Sequence, residues 1–234
     1  MAKDLDQVHY YYDSHPTEED LMGETSWHAS LIRYLYAMLS WLFRGQVCAI
    51  YDDLSFYQTL NYGEYPVAPD IAVIKGVSYR HTRNWVLSNG DPSPHVVFEI
   101  LSEETWKKDV REKPSTYANM GVLEYFTYDP HEPPLRRGNL PRLQGWRLNT
   151  QSKAMVPLIA NHEGWLWSEQ LESWLVPDGI YLRLYDRDHQ MRLTEAEAQA
   201  QQADIEAERA EAALRKAQAL AEQLRALGIN PDEI

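Results

Sequence analysis

The order of one amphipathic helix and several short apolar segments constrains the fold of this chain more than any other feature. Residues 26–43 (SWHASLIRYLYAMLSWLF) place apolar side chains at spacings of three and four, which predicts a helix with one broad buried face. β-Prone runs bounded by Gly, Pro, Asn or Asp follow at 46–51, 71–74, 96–101 and 124–128. A helical segment at 105–120 separates the last two runs. This order predicts an α/β fold with several strand ends on one side of a sheet.

The second half of the chain contains further strand signals. Residues 131–142 are rich in Pro, Arg and Gly, which predicts an exposed connection. Strand-like runs follow at 145–148, 155–159, 164–167 and 180–184. We expect them to complete the sheet or to form a hairpin that covers it.

A heptad pattern runs through the C-terminal segment. Apolar residues alternate steps of three and four without interruption at Leu193, Ala196, Ala200, Ala203, Ala207, Ala210, Leu214, Ala217, Ala221 and Leu224. This seam predicts a coiled-coil helix that ends at Gly228 and Pro231. Because seven of the ten positions are alanine, little area is buried per turn and association through the seam alone would be weak. We expect this helix to support a homodimer, with a single solvated helix as the alternative.

These patterns divide the chain into three parts. We expect a folded domain at 1–190, a helical coiled-coil tail at 191–228 and a C-terminal end at 229–234. The single cysteine, Cys48, excludes a disulfide framework and a zinc site built from cysteines. The sequence has neither a signal-peptide pattern at its N-terminus nor an apolar run of about eighteen residues, so a cytoplasmic protein without membrane segments is expected.

The charge of the chain limits the kinds of partner it can bind. The formal net charge is −13, which argues against a general nucleic-acid coat because binding a polyanion relies on a basic surface. Two local basic runs remain, one with Lys107, Lys108, Arg111 and Lys113, the other with Arg136, Arg137, Arg142 and Arg147. Each run is either a solvated face or a contact for nucleic-acid phosphates.

Two carboxylates on predicted strands are candidates for a metal site. Asp70 lies at the mouth of the strand at 71–74, and Glu99 interrupts the apolar run HVVFEIL. A carboxylate among buried strand residues must be paired, protonated or metal-bound. Two such groups, a main-chain carbonyl and water supply the oxygen ligands that Mg²⁺ prefers. The alternative is a carboxylate at the rim of the sheet that pairs with an arginine.

Several motifs in succession resemble a known family. GETSWH, YPVAPDIAVI, PHVVFEILSEET and KDVREKPSTYANMGVLEYFTYDP occur in this order between about residues 23 and 130. Together they resemble the Uma-two family of restriction-endonuclease-like proteins, a branch of the PD-(D/E)XK nucleases. The resemblance implies a restriction-endonuclease-like core, with a central mixed sheet flanked by helices. It also implies hydrolysis of DNA phosphodiester bonds with Mg²⁺ or Mn²⁺.

The resemblance further implies roles for individual residues. Asp70 corresponds to the aspartate of the motif, Glu99 to its second acid and Lys113 to a lysine displaced onto the following helix. The implied metal ligands are Asp70, Glu99 and the main-chain carbonyl of Ile100. Glu24 and His28 fall where the family commonly has residues at the first helix. An acid–base role is open to His28, with an imidazole held by a main-chain carbonyl as the alternative.

The sequence departs from the parent motif at the lysine. Two residues beyond Glu99 the motif has lysine, whereas this chain has Leu101. Asp109, Lys113 and Tyr117 recur every four residues, so a continuous helix would stack them on one face toward the strand ends. Pro114 disfavours helical angles at Lys113, and the alternative is a helix that begins there, with Pro114 in its first turn. Lys107 and Lys108 are the alternative amines.

Three functions follow from these readings. The first is a Mg²⁺-dependent DNA endonuclease in which Lys113 orients the attacking water. The second is a catalytically inactive nuclease fold that acts as a binding or oligomeric scaffold, which the acidic charge favours. The third is a hydrolase with Ser102 as nucleophile; it is disfavoured because Ser102 lacks a glycine-flanked elbow.

Overall fold

The computed structural model describes residues 26–59, 65–135 and 141–228. Its α-helices are α1 (Ser26–Leu42), α2 (Trp106–Arg111), α3 (Lys113–Asn119) and α4 (Glu195–Ala226). Its strands are β1 (Cys48–Tyr51), β2 (Ser55–Tyr57), β3 (Ile71–Lys75), β4 (Asn84–Val86), β5 (Val96–Ile100), β6 (Glu124–Tyr128), β7 (Leu143–Asn149), β8 (Ala154–Pro157), β9 (Leu166–Ser168), β10 (Ser173–Asp178) and β11 (Tyr181–Tyr185).

A six-stranded mixed sheet forms the centre of the fold. Its strand order is β1–β3–β5–β6–β7–β8. The pair β5 and β6 is parallel and the other neighbours are antiparallel. All five residues of β5 and all five of β6 are buried, as expected for central strands covered on both faces. The predicted α/β fold with a central mixed sheet is confirmed.

Each face of this sheet has its own apolar layer. On one face, α1 contributes Leu31, Leu35 and Leu39 to a layer with Phe98 and Phe126. On the other face, Tyr117 of α3 and Met120, which directly follows α3, form a layer with Val97, Tyr125 and Trp146. The alternation along β5 and β6 explains the division, because successive strand residues point to opposite faces.

Two smaller sheets accompany the six-stranded sheet. Strands β9, β10 and β11 form an antiparallel three-stranded sheet, and β2 pairs with β4 in parallel. The sequence analysis predicted β9 and β11 but missed β10, in which Pro177 weakens the strand signal. It also missed β2 and β4, whose three residues are too few for a periodic pattern.

The helical segment predicted at 105–120 is two helices. Helix α2 ends at Arg111, Glu112 forms the junction with φ −107°, and α3 begins at Lys113 with Pro114 in its first turn. Proline is tolerated at this position because the first helical N–H groups have no partner within the helix. A helix that restarts at Pro114 was one of the two readings of the sequence, and it is the correct one.

The chain divides into two compact units, residues 1–192 and 193–234. The second unit contains α4, which begins with a capping box in which Thr194 and Glu197 exchange main-chain and side-chain hydrogen bonds. No residue of α4 is buried. Pro231 lies outside the described residues. Within the described ranges, every helix is either too short or too polar to span a membrane.

Candidate active site

The pairing of β3 with β5 brings Asp70 beside Glu99. Ile71 faces Phe98 in this antiparallel pair, so Asp70, one residue before Ile71, is opposite Glu99. Asp70 Oδ2 accepts a hydrogen bond of 2.5 Å from the main-chain N–H of Ile100. The two predicted metal ligands therefore lie at the same edge of the sheet, where β3 begins and β5 ends.

Helices α2 and α3 bring three polar side chains to Glu99. The Tyr117 hydroxyl donates a hydrogen bond of 2.5 Å to Glu99 Oε1. Lys113 Nζ lies 2.7 Å from the same oxygen and 2.8 Å from Asp109 Oδ1. The spacing of four residues thus places Asp109, Lys113 and Tyr117 together despite the break at Glu112. Lys113 reaches Glu99 from the helix, whereas Leu101, at the motif's lysine position, is buried.

Burial and neighbouring charges determine the protonation of this cluster. Burial raises the pKa of Glu99 to about 8; Lys113 opposes this rise, and Asp70 and Asp109 add to it. Burial lowers the pKa of Lys113, but the charges of Glu99 and Asp109 outweigh burial and raise it above its ordinary value. Lys113 is therefore an ammonium group at neutral pH, which donates hydrogen bonds but cannot accept a proton.

Ser102 and Asp109 organise the turn that leads from β5 into α2. Asp109 Oδ2 accepts a hydrogen bond of 2.7 Å from the Thr105 hydroxyl. Ser102 Oγ lies 3.0 Å from that hydroxyl and accepts from the main-chain N–H of Thr105. Within the described ranges, the hydrogen bonds of the Ser102 side chain all go to Thr105. Ser102 therefore has a structural role here and lacks the histidine partner that a serine nucleophile requires.

His28 also reaches this edge of the sheet. Its Nε2 lies 3.0 Å from the main-chain oxygen of Ile100 and 3.8 Å from Asp70 Oδ2. A carbonyl can only accept, so the hydrogen of His28 lies on Nε2 in this arrangement. Lys107 and Lys108 are exposed on α2, away from the contacts of Glu99. Glu24 lies outside the described residues.

The oxygens at this edge match the ligands of a hard divalent cation. Among the described residues, both donors to Glu99 approach Oε1, and none is hydrogen-bonded to Oε2. The Asp70 side chain is 19% exposed, so the edge is open to solvent. The Ile100 carbonyl has a second lone pair beside the one directed at His28. No group of three His, Cys, Asp or Glu side chains suited to a metal occurs in the described ranges, so a cation here would use two carboxylates, the Ile100 carbonyl and water.

The sequence analysis missed a second carboxylate–histidine pair next to this edge. Asp129 is buried directly after β6, and its Oδ1 lies 3.0 Å from His131 Nδ1. The ring of Trp27 packs against both histidines, with ring centroids 6.1 Å from His28 and 4.5 Å from His131. The sequence signal for this pair was the segment Asp129-Pro130-His131, which directly follows a strand and contains two polar residues.

Comparisons with known proteins give a matching family and similar solved structures. The model of the Uma2 family, described as "Putative restriction endonuclease", matches residues 6–158. One similar solved structure, from Anabaena variabilis, is titled as a "putative nuclease belonging to DUF820". It has 12% identity and a TM-score of 0.42, and the match covers 64% of this chain and 76% of that one. No curated protein sequence matches significantly. Because the family model spans more than half of the sequence, this chain belongs to the Uma2 family.

Proposed function

We propose that this protein is an endonuclease that hydrolyses phosphodiester bonds of DNA with Mg²⁺ or Mn²⁺. Membership of the Uma2 family supports a nuclease-like function. One observation carries the proposal of metal-dependent DNA cleavage. Lys113 Nζ lies 2.7 Å from Glu99 Oε1, at the edge of the sheet that also holds Asp70. Two carboxylates and an ammonium group therefore lie close together, although this chain has Leu101 where the parent motif has its lysine.

The roles of these residues follow from their chemistry. Asp70, Glu99 and the Ile100 carbonyl would hold the cation, and His28 keeps that carbonyl in place through Nε2. When bound, the cation supplies Lewis-acid polarisation of a phosphoryl oxygen. Lys113 donates hydrogen bonds to the attacking water and to phosphate oxygens on which negative charge develops. Tyr117 fixes the Glu99 carboxylate through Oε1.

The proposal is tested with supercoiled plasmid in the presence of Mg²⁺ or Mn²⁺. We expect the wild-type protein to nick or linearise the plasmid, and Asp70→Ala to be inactive with weakened binding of Mn²⁺ by calorimetry. Lys113→Met should lose cleavage but keep its affinity for Mn²⁺, because an ammonium group does not ligate a cation. Lys107→Met, on the exposed face of α2, is the matched control. Cleavage retained in Asp70→Ala would refute the metal site.

An inactive scaffold is the second candidate function, and the net charge of −13 favours it. An acidic body repels DNA unless basic groups are concentrated on one side. In the same experiment, this function predicts that the purified protein binds Mn²⁺ or a partner without cutting any plasmid.

We also propose that α4 pairs with α4 of a second copy. Its seam is accessible, because no residue of α4 is buried and the seam residue Leu214 is 58% exposed. Light scattering should give a dimer for the full chain and a monomer after truncation behind Arg192. Ala207→Glu, on the seam, should weaken the dimer, whereas Gln202→Glu, off the seam, should not. A full-length monomer at tens of micromolar would refute this pairing.

A further inference from the structure

The buried Asp129 holds His131 in one orientation. Asp129 Oδ1 accepts from the main-chain N–H of His131 at 3.1 Å and lies 3.0 Å from its Nδ1. The other oxygen, Oδ2, accepts from the N–H of Leu135 at 2.8 Å. A carboxylate that accepts from Nδ1–H leaves Nε2 to exchange protons. Among the described residues, none forms a hydrogen bond with His131 Nε2.

The strand register places this pair next to the candidate active site. Ile100 is paired with Tyr128, and the N–H of Leu101 donates to the Tyr128 carbonyl at 2.8 Å. Asp129 is therefore one residue beyond the strand neighbour of Ile100. The Trp27 ring is near both histidines, because it forms T-shaped pairs with His28 and with His131. Arg142 donates to the His131 carbonyl at 2.8 Å and pairs with Glu132, which fixes the main chain here.

Lys113 and His131 approach this edge from opposite faces of the sheet. Lys113 extends from α3, on the face that carries Tyr117 and Trp146. His131 packs on Trp27 of α1, on the face that carries Leu31 and Phe98. In an in-line displacement, the attacking and the leaving oxygen lie on opposite sides of phosphorus. A phosphate at this edge would thus have an ammonium group on one side and an imidazole on the other.

We infer that His131, oriented by Asp129, is the general acid that protonates the leaving oxygen of the phosphodiester. This inference rests on the proposed nuclease function. The oxygen of water forms a bond to phosphorus and the bond from phosphorus to the leaving oxygen breaks. The proton on His131 Nε2 passes to that oxygen, the proton lost by the attacking water goes to solvent, and His131 regains a proton from solvent.

His28 is less suited to this step although it lies closer to Asp70. Its Nε2 hydrogen is directed at the Ile100 carbonyl, 3.0 Å away, so transfer of that proton would break a contact that positions a candidate ligand. His28 is accordingly a positioning residue. His131 has the carboxylate support on Nδ1 that general acids and bases of this type use.

The test compares two DNA substrates. One is an ordinary oligonucleotide duplex, and the other carries sulfur in place of the leaving oxygen at a single phosphodiester. A thiolate leaves without protonation, because a thiol is far more acidic than an alcohol. His131→Gln should slow cleavage of the ordinary bond by about 10²-fold or more, whereas the sulfur-substituted bond should be cleaved at nearly the wild-type rate. His162→Gln, an exposed histidine, is the matched control.

The ratio of the two rates within one preparation does not depend on how much of the variant is folded. An equal loss on both substrates, or no loss on either, would refute the inference while leaving the nuclease function intact. A wild-type protein that cleaves neither substrate would refute the proposed function itself, and the general-acid role with it.

Discussion

Two buried glutamates on neighbouring strands have opposite environments. Glu124 begins β6 and Glu99 lies near the end of β5, and both side chains are almost inaccessible. Glu124 Oε1 accepts from Arg147 Nε at 2.9 Å and from the N–H of Glu169 at 2.9 Å. Its Oε2 accepts from the Ser168 hydroxyl at 2.5 Å and from the N–H of Gln170 at 3.2 Å. Both oxygens are satisfied, and they join β6 and β7 to the segment at β9.

Glu99 is satisfied on one oxygen alone among the described residues. Tyr117 and Lys113 both approach Oε1, and Lys113 is shared with Asp109. The negative charges of Asp70 and Asp109 also act on Glu99. Burial with incomplete compensation raises the pKa of Glu99 to about 8. The comparison shows that a buried carboxylate with complete hydrogen bonding has a structural role. One with an excess of negative charge around it is a candidate for binding a cation.

Substitution of Glu99 should give the largest effect, and it should be on activity. Glu99→Gln keeps the shape of the side chain but removes the charge that would bind the cation. We expect cleavage to fall by at least about 10³-fold, equivalent to about 4 kcal/mol of transition-state stabilisation. The free energy of unfolding should change by no more than about 1 kcal/mol, because Lys113 keeps Asp109 as a partner. Plasmid cleavage and urea denaturation measure the two quantities. A Glu99→Gln variant that loses stability but not cleavage would contradict the difference proposed between Glu99 and Glu124.

Substitution of Glu124 should have the opposite pattern. Glu124→Ala removes the partner of Arg147 and leaves buried donors unsatisfied, so we expect a loss of roughly 3–5 kcal/mol of unfolding free energy. Glu169→Ala is the matched control: it removes an exposed carboxylate 3.6 Å from the same arginine and should cost about 0.5 kcal/mol or less. Urea denaturation compares the two variants. Equal stabilities would show that Glu124 does not join these strands.

Removal of the Tyr117 hydroxyl should give an intermediate effect. Tyr117→Phe deletes one of the two donors to Glu99 Oε1 and should lower the unfolding free energy by about 1 kcal/mol, with a partial loss of cleavage. Tyr125→Phe is the control, since its hydroxyl donates to the main-chain oxygen of Asp109 and not to Glu99. The two variants should be similarly stable but differ in cleavage rate. A Tyr117→Phe variant as active as Tyr125→Phe would contradict a positioning role for this hydroxyl.

The smallest effect is expected at the other end of β5, where His95 Nδ1 accepts a hydrogen bond of 3.2 Å from the N–H of Lys75. Burial lowers the pKa of His95, and the charge of Lys75 lowers it further. The folded state therefore favours neutral imidazole. The contribution of neutral His95 to stability is complete above roughly pH 6.5, the pKa of histidine in the unfolded chain. It is lost as the pH falls through the lower pKa that His95 has in the folded protein. Wild type should be more stable than His95→Asn at pH 7.5, by a margin that shrinks at pH 5. A margin independent of pH would contradict this account.

The elements that the sequence predicted well have strong local patterns. Helix α1 follows the three- and four-residue spacing of Leu31, Leu35, Met38 and Leu42, and β6 has the predicted bounds of 124–128. The strands that were missed lack such a pattern, because β2 and β4 have three residues each and β10 contains Pro177. The roles predicted for Asp70, Glu99 and Lys113, and the pairing of α4, remain predictions.

The sequence by itself determined the α/β order and the recurrence of Asp109, Lys113 and Tyr117 every four residues. Both are local properties, set by backbone periodicity and side-chain spacing. The tertiary structure decided which polar groups meet. It pairs Glu99 with Lys113, Glu124 with Arg147, and His28 with the Ile100 carbonyl. The partners in these contacts are 14, 23 and 72 residues apart. Strand order, register and helix packing bring them together, and no short-range pattern in the sequence specifies these.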